Sequence, residues 1–290
     1  LEFRRVLFRS VIPFTYCPNL ISAAARVLSG VPKHFWNQRG RESFPLLRLE
    51  RWIPKRRLIY VANSRAGAAF VAQRHAIPPD RVCVIRNGYA AKTPLASRTE
   101  WRRRLQIDNG AVVAVMVANY YPQKDHATAL RGWRTLLDTA PAAPRPVLVF
   151  AGYPAMASLL SRAKAVAAEL NLSDSVRFVE GTIDVAGLLQ AADIGILSTR
   201  SEGCPNSVLE YMLAGLPVVA TAIPALHEIF DACDDASLFP VGDSDAFADR
   251  MRLLLHDPKR REQIGARNRA RVLRDFDPNE MVQSYLDLLQ

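Results

Sequence analysis

The chain has 290 residues, enough for about two domains, with 49% apolar and 23% charged residues, as in ordinary globular proteins. No apolar run approaches the roughly 18 residues of a membrane span. The four cysteines, Cys17, Cys83, Cys204 and Cys233, lie far apart with no CxxC pair. That pattern fits a reducing cytoplasm better than a disulfide framework or a zinc site. The net charge of +10 suits an anionic partner, whether nucleotide, nucleic acid or acidic membrane surface.

The first ten residues, LEFRRVLFRS, carry three arginines and no clean helical or strand period. Arg9 interrupts what would be the apolar stretch of a signal peptide. A reverse translation of Leu1–Ser10 resembles a short-read sequencing adapter, so residues 1–10 are expected to be an artefact and the gene to begin further upstream. Without them the charge is +8.

Ahead of residue 89, YVANS (60–64) and VCVIRNG (82–88) read as strands flanking a helix over 64–76. Residues 89–100, with Pro94 and mixed polar content, read as a linker. From Ala111 onward, short apolar runs alternate with helical stretches. The runs 111–118, 145–152, 176–181, 193–199, 217–221 and 237–242 are β-branched and apolar almost throughout, as strands covered on both faces should be. Repeated strand–helix units imply a doubly wound α/β domain, whose ligands bind beyond the carboxyl ends of the strands. Helices are expected at 245–257, from about 259 to 274, and over 278–290.

The densest signal is STRSEGCPNSVLEYMLAGLPVVAT, residues 198–221. A strand ends at Ser198–Thr199, and a loop carries Glu202, Gly203 and Cys204. A helix begins after Pro205, with Asn206 as the expected N-cap and Gly215 as its stop. Helix-start amides and the helix dipole suit an anion. Glycine at 203 permits close backbone approach to a ligand. Glu202 and Glu210, on the loop and inside the helix, can accept hydrogen bonds from two sugars of one extended ligand.

E-x7-E between strand and helix, followed by GLPVVAT, resembles the family-four retaining glycosyltransferases of GT-B fold. The likeness continues in RVCVIRNGYA, in VMVANYYPQKDHATALRGW and in VRFVEGTIDVAGLLQAADIGILST. The resemblance implies an α/β fold with two Rossmann-like domains, the N-terminal one incomplete. It would comprise an acceptor-side remnant over 11–97, a nucleotide-sugar domain over 98–274 and a returning helix over 275–290. It further implies that Glu202 contacts the donor sugar, Glu210 the ribose, and the segment Gly203, Cys204, Pro205, Asn206, Ser207 and Val208 the sugar and diphosphate. Lys124 would neutralise the departing diphosphate, with no metal or other cofactor. Asn119, Glu180 and Gly181 fall in the donor region. Asn37, Arg39 and Asn87 are candidates on the acceptor side, with a structural loop as their alternative.

The family usually pairs such a lysine with an earlier arginine, where Asn119, Tyr120 and Tyr121 stand here, unless Arg131 or Arg200 substitutes. Asp243–Ser–Asp245 imitates a metal-binding DxD but reads better as a helix N-cap. His126 reads as a helix-start residue rather than a base. The arginines of KRREQIGARNRARVLRD read as one solvated face, with contact to an anionic membrane as the alternative; nucleic acid is not expected. The implied function is transfer of a sugar, with retention, from a nucleotide-diphosphate sugar to a glycan or lipid-carrier acceptor. The expected location is cytoplasmic or peripheral on the inner face of the membrane. A nucleotide-sugar-binding protein without turnover and an epimerase are the rivals.

Overall fold

The computed structural model describes residues 8–40, 57–139, 144–230 and 238–290, and all but the side chain of Val27 within them. Cys233, Ser237, the leader up to Leu7 and residues 41–43 of the acceptor-side stretch lie outside the described residues. The chain forms two compact units. The first comprises residues 1–88, 201–204 and 278–290, the second residues 89–200 and 205–277. Residues 89–100, read as a linker, thus group with the second unit.

The first unit contains β1 (Ser10–Val11), α1 (Tyr16–Ser29), β2 (Lys33–Gln38), β3 (Leu58–Ala62), α2 (Arg65–His75) and β4 (Val82–Val84). The four strands form one parallel sheet in the order β1-β2-β3-β4. Ser10 of the leader pairs with Lys33, because backbone pairing at a sheet edge does not depend on side-chain identity.

Successive side chains of a strand face opposite sides, and both sides here are covered. Trp36 and Tyr60 pack with Tyr16, Leu20 and Val71 of the helices. Phe35 and Val61 pack with Ile85 and with Met281, Tyr285 and Leu288 of the last helix, α11 (Pro278–Leu289).

HFWNQ is therefore part of a strand, not the structural loop weighed as the alternative for Asn37. His34 is buried within it, its ring nitrogens 3.0 and 2.9 Å from the Ser22 and Ser29 hydroxyls of α1. Burial, then the nearby Arg26 charge, lowers its pKa.

The second unit contains α3 (Arg98–Arg104), β5 (Val113–Val117), α4 (His126–Thr139), β6 (Val147–Gly152), α5 (Ala157–Glu169), β7 (Val176–Glu180), α6 (Val185–Ala191) and β8 (Ile194–Leu197). After these come α7 (Asn206–Leu213), β9 (Val218–Thr221), α8 (Pro224–Ile229), β10 (Leu238–Phe239), α9 (Ser244–Leu255) and α10 (Pro258–Asp275). Its sheet runs β10-β9-β8-β5-β6-β7 with every pair parallel. Strand order reverses between β5 and β8, and in such sheets the crevice beyond the carboxyl ends at that reversal is the ligand site.

Helix α3, not foreseen from sequence, is fixed by a buried arginine. Arg102 pairs with Asp193 at 2.9 Å and donates to the carbonyls of Asp108, Asn109, Ala111 and Ala191. Asp193 in turn accepts the Val113 N–H at the start of β5. Asp243 caps α9, accepting the Ala246 N–H, as the N-cap reading of the DxD stretch required.

Candidate active site

The switch point is built by two loops sewn together. After β5 the chain runs through Asn119, Tyr120 and Tyr121 to Lys124, which pairs with Thr199, beyond β8, as an isolated antiparallel bridge. The Gln123 carbonyl accepts both the Thr199 hydroxyl (3.1 Å) and the Arg200 N–H (2.8 Å). The Asp125 N–H donates to Ser198 O, and the Asp125 carboxylate caps α4 by accepting the Thr128 N–H. These bonds join the two loops, so the Lys124 backbone is held in place at the switch point.

His126 opens α4 as expected, stacked on Tyr120 at 4.5 Å and tilted against Phe150. Burial holds its pKa down to about 4, a hydrogen bond to the Lys124 backbone opposing this only in part. A neutral, enclosed imidazole is a packing group.

The two substitute cations have other partners. Arg200 pairs with the Asp125 carboxylate at 3.4 Å, beside Lys124 in sequence and in space, and Arg131 contacts the Thr128 hydroxyl. Asn119 accepts the Tyr153 N–H through Oδ1, joining the ends of β5 and β6. Glu180 ends β7 and forms an exposed pair with Lys164. Gly181 follows in a left-handed conformation, with φ of +66° and open space beside it.

Helix α7 begins at Asn206 as its first helical residue. Pro205 holds the cap position and contributes no side-chain bond, so the expected Asn206 cap is not formed. A proline has no N–H to leave unsatisfied, which suits that place. The Val208 N–H donates to the Pro205 carbonyl, and Val208 is fully buried. Its amide is thereby taken by the helix start itself. Ser207 reaches the Tyr211 hydroxyl, which accepts the Val117 N–H of β5. Tyr211 thus ties α7 to the central strand from within.

Gly215 ends the helix with φ of +75°. Gly265 of α10 packs so closely there that an added Cβ would lie 1.9 Å from Gly215 O. Asn268 donates to the Leu216 carbonyl at 2.9 Å.

Glu210 lies on the outward side of α7, half-buried, and accepts a hydrogen bond from the Tyr89 hydroxyl. Both line a cavity of about 220 Å³ shared with Lys92, Leu189, Leu213 and Arg269.

Glu202, Gly203 and Cys204 group with the first unit, as do the three acceptor-side candidates. Gly203 is buried, and a Cβ there would lie 2.2 Å from Arg39 O and 3.0 Å from Asn63 Oδ1. The close approach that requires glycine is made by the chain's own backbone. Asn37 is fully buried, its backbone bonded both ways to the Asn19 amide and its side chain donating to the Tyr285 hydroxyl. Asn87 donates to Cys204 O at 3.3 Å, and the Arg39 guanidinium stacks over Phe14. Asn37 and Asn87 therefore hold elements of the unit together. Among the described residues, Cys17, Cys83 and Cys204 form no disulfide.

Sequence reasoning missed Tyr89, Asp125 and Asn63. Tyr89 was within reach of it, since it lies two residues beyond Asn87, one of the acceptor-side candidates.

The two parallel sheets, the second doubly wound with a lysine and a helix start at its switch point, make an α/β fold of the GT-B class. Residues 97–271 match the family described as Glycosyl transferases group 1, and the chain belongs to that family.

It is 28% identical over 240 residues to D-inositol 3-phosphate glycosyltransferase of Salinispora tropica, covering 79% of this chain and 50% of that protein. It is 24% identical over 187 residues to N-acetyl-alpha-D-glucosaminyl L-malate synthase of Bacillus anthracis, covering 64% of this chain and 47% of the relative. The chain thus spans half or less of the length of these curated relatives. The crystal structure of HepE from Anabaena in complex with UDP-glucose superposes with a TM-score of 0.86 at 19% identity, over 97% of this chain and 78% of that one. Among the described residues no helix is long and apolar enough to cross a membrane.

Proposed function

We propose that the chain is a retaining glycosyltransferase that takes a sugar from a nucleoside diphosphate donor and passes it to a glycan or lipid-linked acceptor. The single observation that carries this reading is the backbone bridge between Lys124 and Thr199, which fixes the root of the lysine side chain at the switch point where α7 also begins. The departing diphosphate gains negative charge as the glycosidic bond breaks. A point cation carried on a backbone held at that place would stabilise that charge. In this role Lys124 and the first turn of α7 replace a metal ion.

Glu210 would hold the ribose, and Glu202 would accept hydrogen bonds from hydroxyls of the donor sugar. Family membership supports the transferase chemistry. The likeness to a protein crystallised with UDP-glucose supports UDP as the first nucleotide to try. Work at the cytoplasmic face of a membrane, on a lipid-linked acceptor, is compatible with the arginines of α10.

The test is calorimetric titration of UDP, GDP and ADP with chelator present, followed by NMR of any sugar released or transferred. Binding of one diphosphate without metal, and a product of unchanged anomeric configuration, are expected. Binding that requires magnesium or manganese, or an inverted product, would overturn the reading.

A further inference from the structure

Glu210 does not stand alone at its cavity. The Tyr89 hydroxyl donates to one of its carboxylate oxygens. The donor is unambiguous, because a carboxylate only accepts. Burial, and then the adjacent Glu210 charge, raise the phenol's pKa, so it remains protonated at every ordinary pH.

Tyr89 is itself held from three directions. Its N–H donates to the Phe276 carbonyl at 2.9 Å, at the end of α10. The Lys92 ammonium lies 5.8 Å from its ring centroid. The segment it begins is pinned again six residues on, where Asp184, the cap of α6, accepts the Leu95 and Ala96 N–H groups at 2.9 and 3.0 Å. Residues 89–96 therefore form a strap tied to α10 at one end and to α6 at the other. Tyr89, Ala91 and Pro94 of the strap line the cavity together with Val185, Leu189 and Glu210.

We propose that Tyr89 is a positioning residue for ribose recognition: its hydroxyl occupies one oxygen of Glu210 and presets the carboxylate so that the other oxygen meets the ribose hydroxyls of the nucleotide. This rests on the assignment of Glu210 to the ribose. A glutamate loses rotamer freedom when a ligand immobilises it, and a partner that has already ordered it removes that cost from binding. The carboxylate has lone pairs enough for both bonds at once. Tyr89 makes no contact with the reacting atoms in this role. It sets how strongly the ribose, as opposed to the base or the diphosphate, contributes to affinity.

The decisive probe compares UDP with the analogue lacking both ribose hydroxyls, titrated by calorimetry into the intact chain and into Tyr89→Phe and Glu210→Ala. The intact chain is expected to favour UDP by about tenfold or more. Glu210→Ala should abolish that preference. Tyr89→Phe should reduce it to within about threefold while leaving affinity for the dihydroxy-deficient analogue unchanged. A merely structural tyrosine would weaken both ligands alike, so equal losses for the two would overturn the proposal. A preference kept in Tyr89→Phe but lost in Glu210→Ala would overturn it while leaving the Glu210 assignment standing. A preference absent from the intact chain, or surviving Glu210→Ala, would remove that assignment and the proposal with it. Matching melting curves for the intact chain and Tyr89→Phe establish that the comparison is made on folded protein.

Discussion

Lys124 and Thr199 pair through their backbones across the point where strand order reverses, joining the loop after β5 to the loop after β8. The two residues are far apart in sequence, and only the parallel neighbours β5 and β8 bring them together. The bridge converts a flexible side chain on a loop into a charge of defined origin. Gln123 and Asp125, on either side of Lys124, bond to Thr199, Arg200 and Ser198 and so fix the lysine's backbone from both flanks. A site that must meet developing charge gains from such prior order.

The two glutamates of the E-x7-E stretch are expected to separate functionally. Glu210→Ala should weaken nucleoside diphosphate binding by about tenfold to a hundredfold, the worth of a charge-assisted hydrogen bond of about 1.5–3 kcal/mol. Glu202→Ala should leave nucleotide affinity nearly unchanged and lower the affinity gained from the sugar of a nucleotide sugar. Titration of UDP and UDP-glucose into each variant checks this. Identical effects of the two changes on both ligands would contradict the division of roles.

Gly265→Ala should destabilise the second unit. The new methyl would meet the Gly215 carbonyl, which belongs to a turn in the left-handed region and has little freedom to shift. Overpacking of this kind costs about 1–3 kcal/mol. Because Gly215 ends α7, the displacement should reach Glu210 as well. Urea unfolding, together with UDP titration, measures both effects, and an unchanged unfolding midpoint would show that α10 yields instead.

Most of the second unit was legible in the sequence for a physical reason. Strands of a parallel sheet are buried on both faces, so β5, β6, β8 and β9 are apolar at almost every position and stand out from their neighbours. What escaped notice depended on partners distant in the chain. HFWNQ looks too polar for an inner strand, but Asn37 bonds to Asn19 and Tyr285, and His34 to Ser22 and Ser29. Arg102 would be counted as a surface charge without Asp193 and the four carbonyls around it.

The same limit applied at the site. The E-x7-E spacing pointed to Glu210, yet its bond to Tyr89 spans 121 residues and leaves no local pattern. Asn206 has the residue type of a cap, whereas the chain turns into α7 one residue earlier, at Pro205. Gly203 was read as making room for a ligand, and the space beside it is taken by Arg39 and Asn63.

Stability should fall as pH drops from neutrality toward 4, with His126 as a defined contributor. Its folded pKa of about 4 lies below the ordinary 6.5. Between those values the unfolded chain binds the proton and the folded chain does not. The contribution is therefore complete above 6.5 and is lost as pH falls, amounting to about 3 kcal/mol by pH 4. Urea unfolding at several pH values, for the intact chain and for His126→Gln, isolates it. The variant should show the shallower pH dependence, and parallel curves would contradict the burial of a neutral imidazole.

The most direct test concerns the diphosphate and Lys124. Affinities of UDP and UMP are measured by calorimetry with chelator present, for the intact chain and for Lys124→Ala. If the lysine meets the diphosphate without metal, the intact chain prefers UDP over UMP by about tenfold or more, and Lys124→Ala loses most of that preference while its affinity for UMP changes little. A preference for UDP that survives Lys124→Ala undiminished, or that arises only when a divalent metal is added, would contradict the proposed metal-free site.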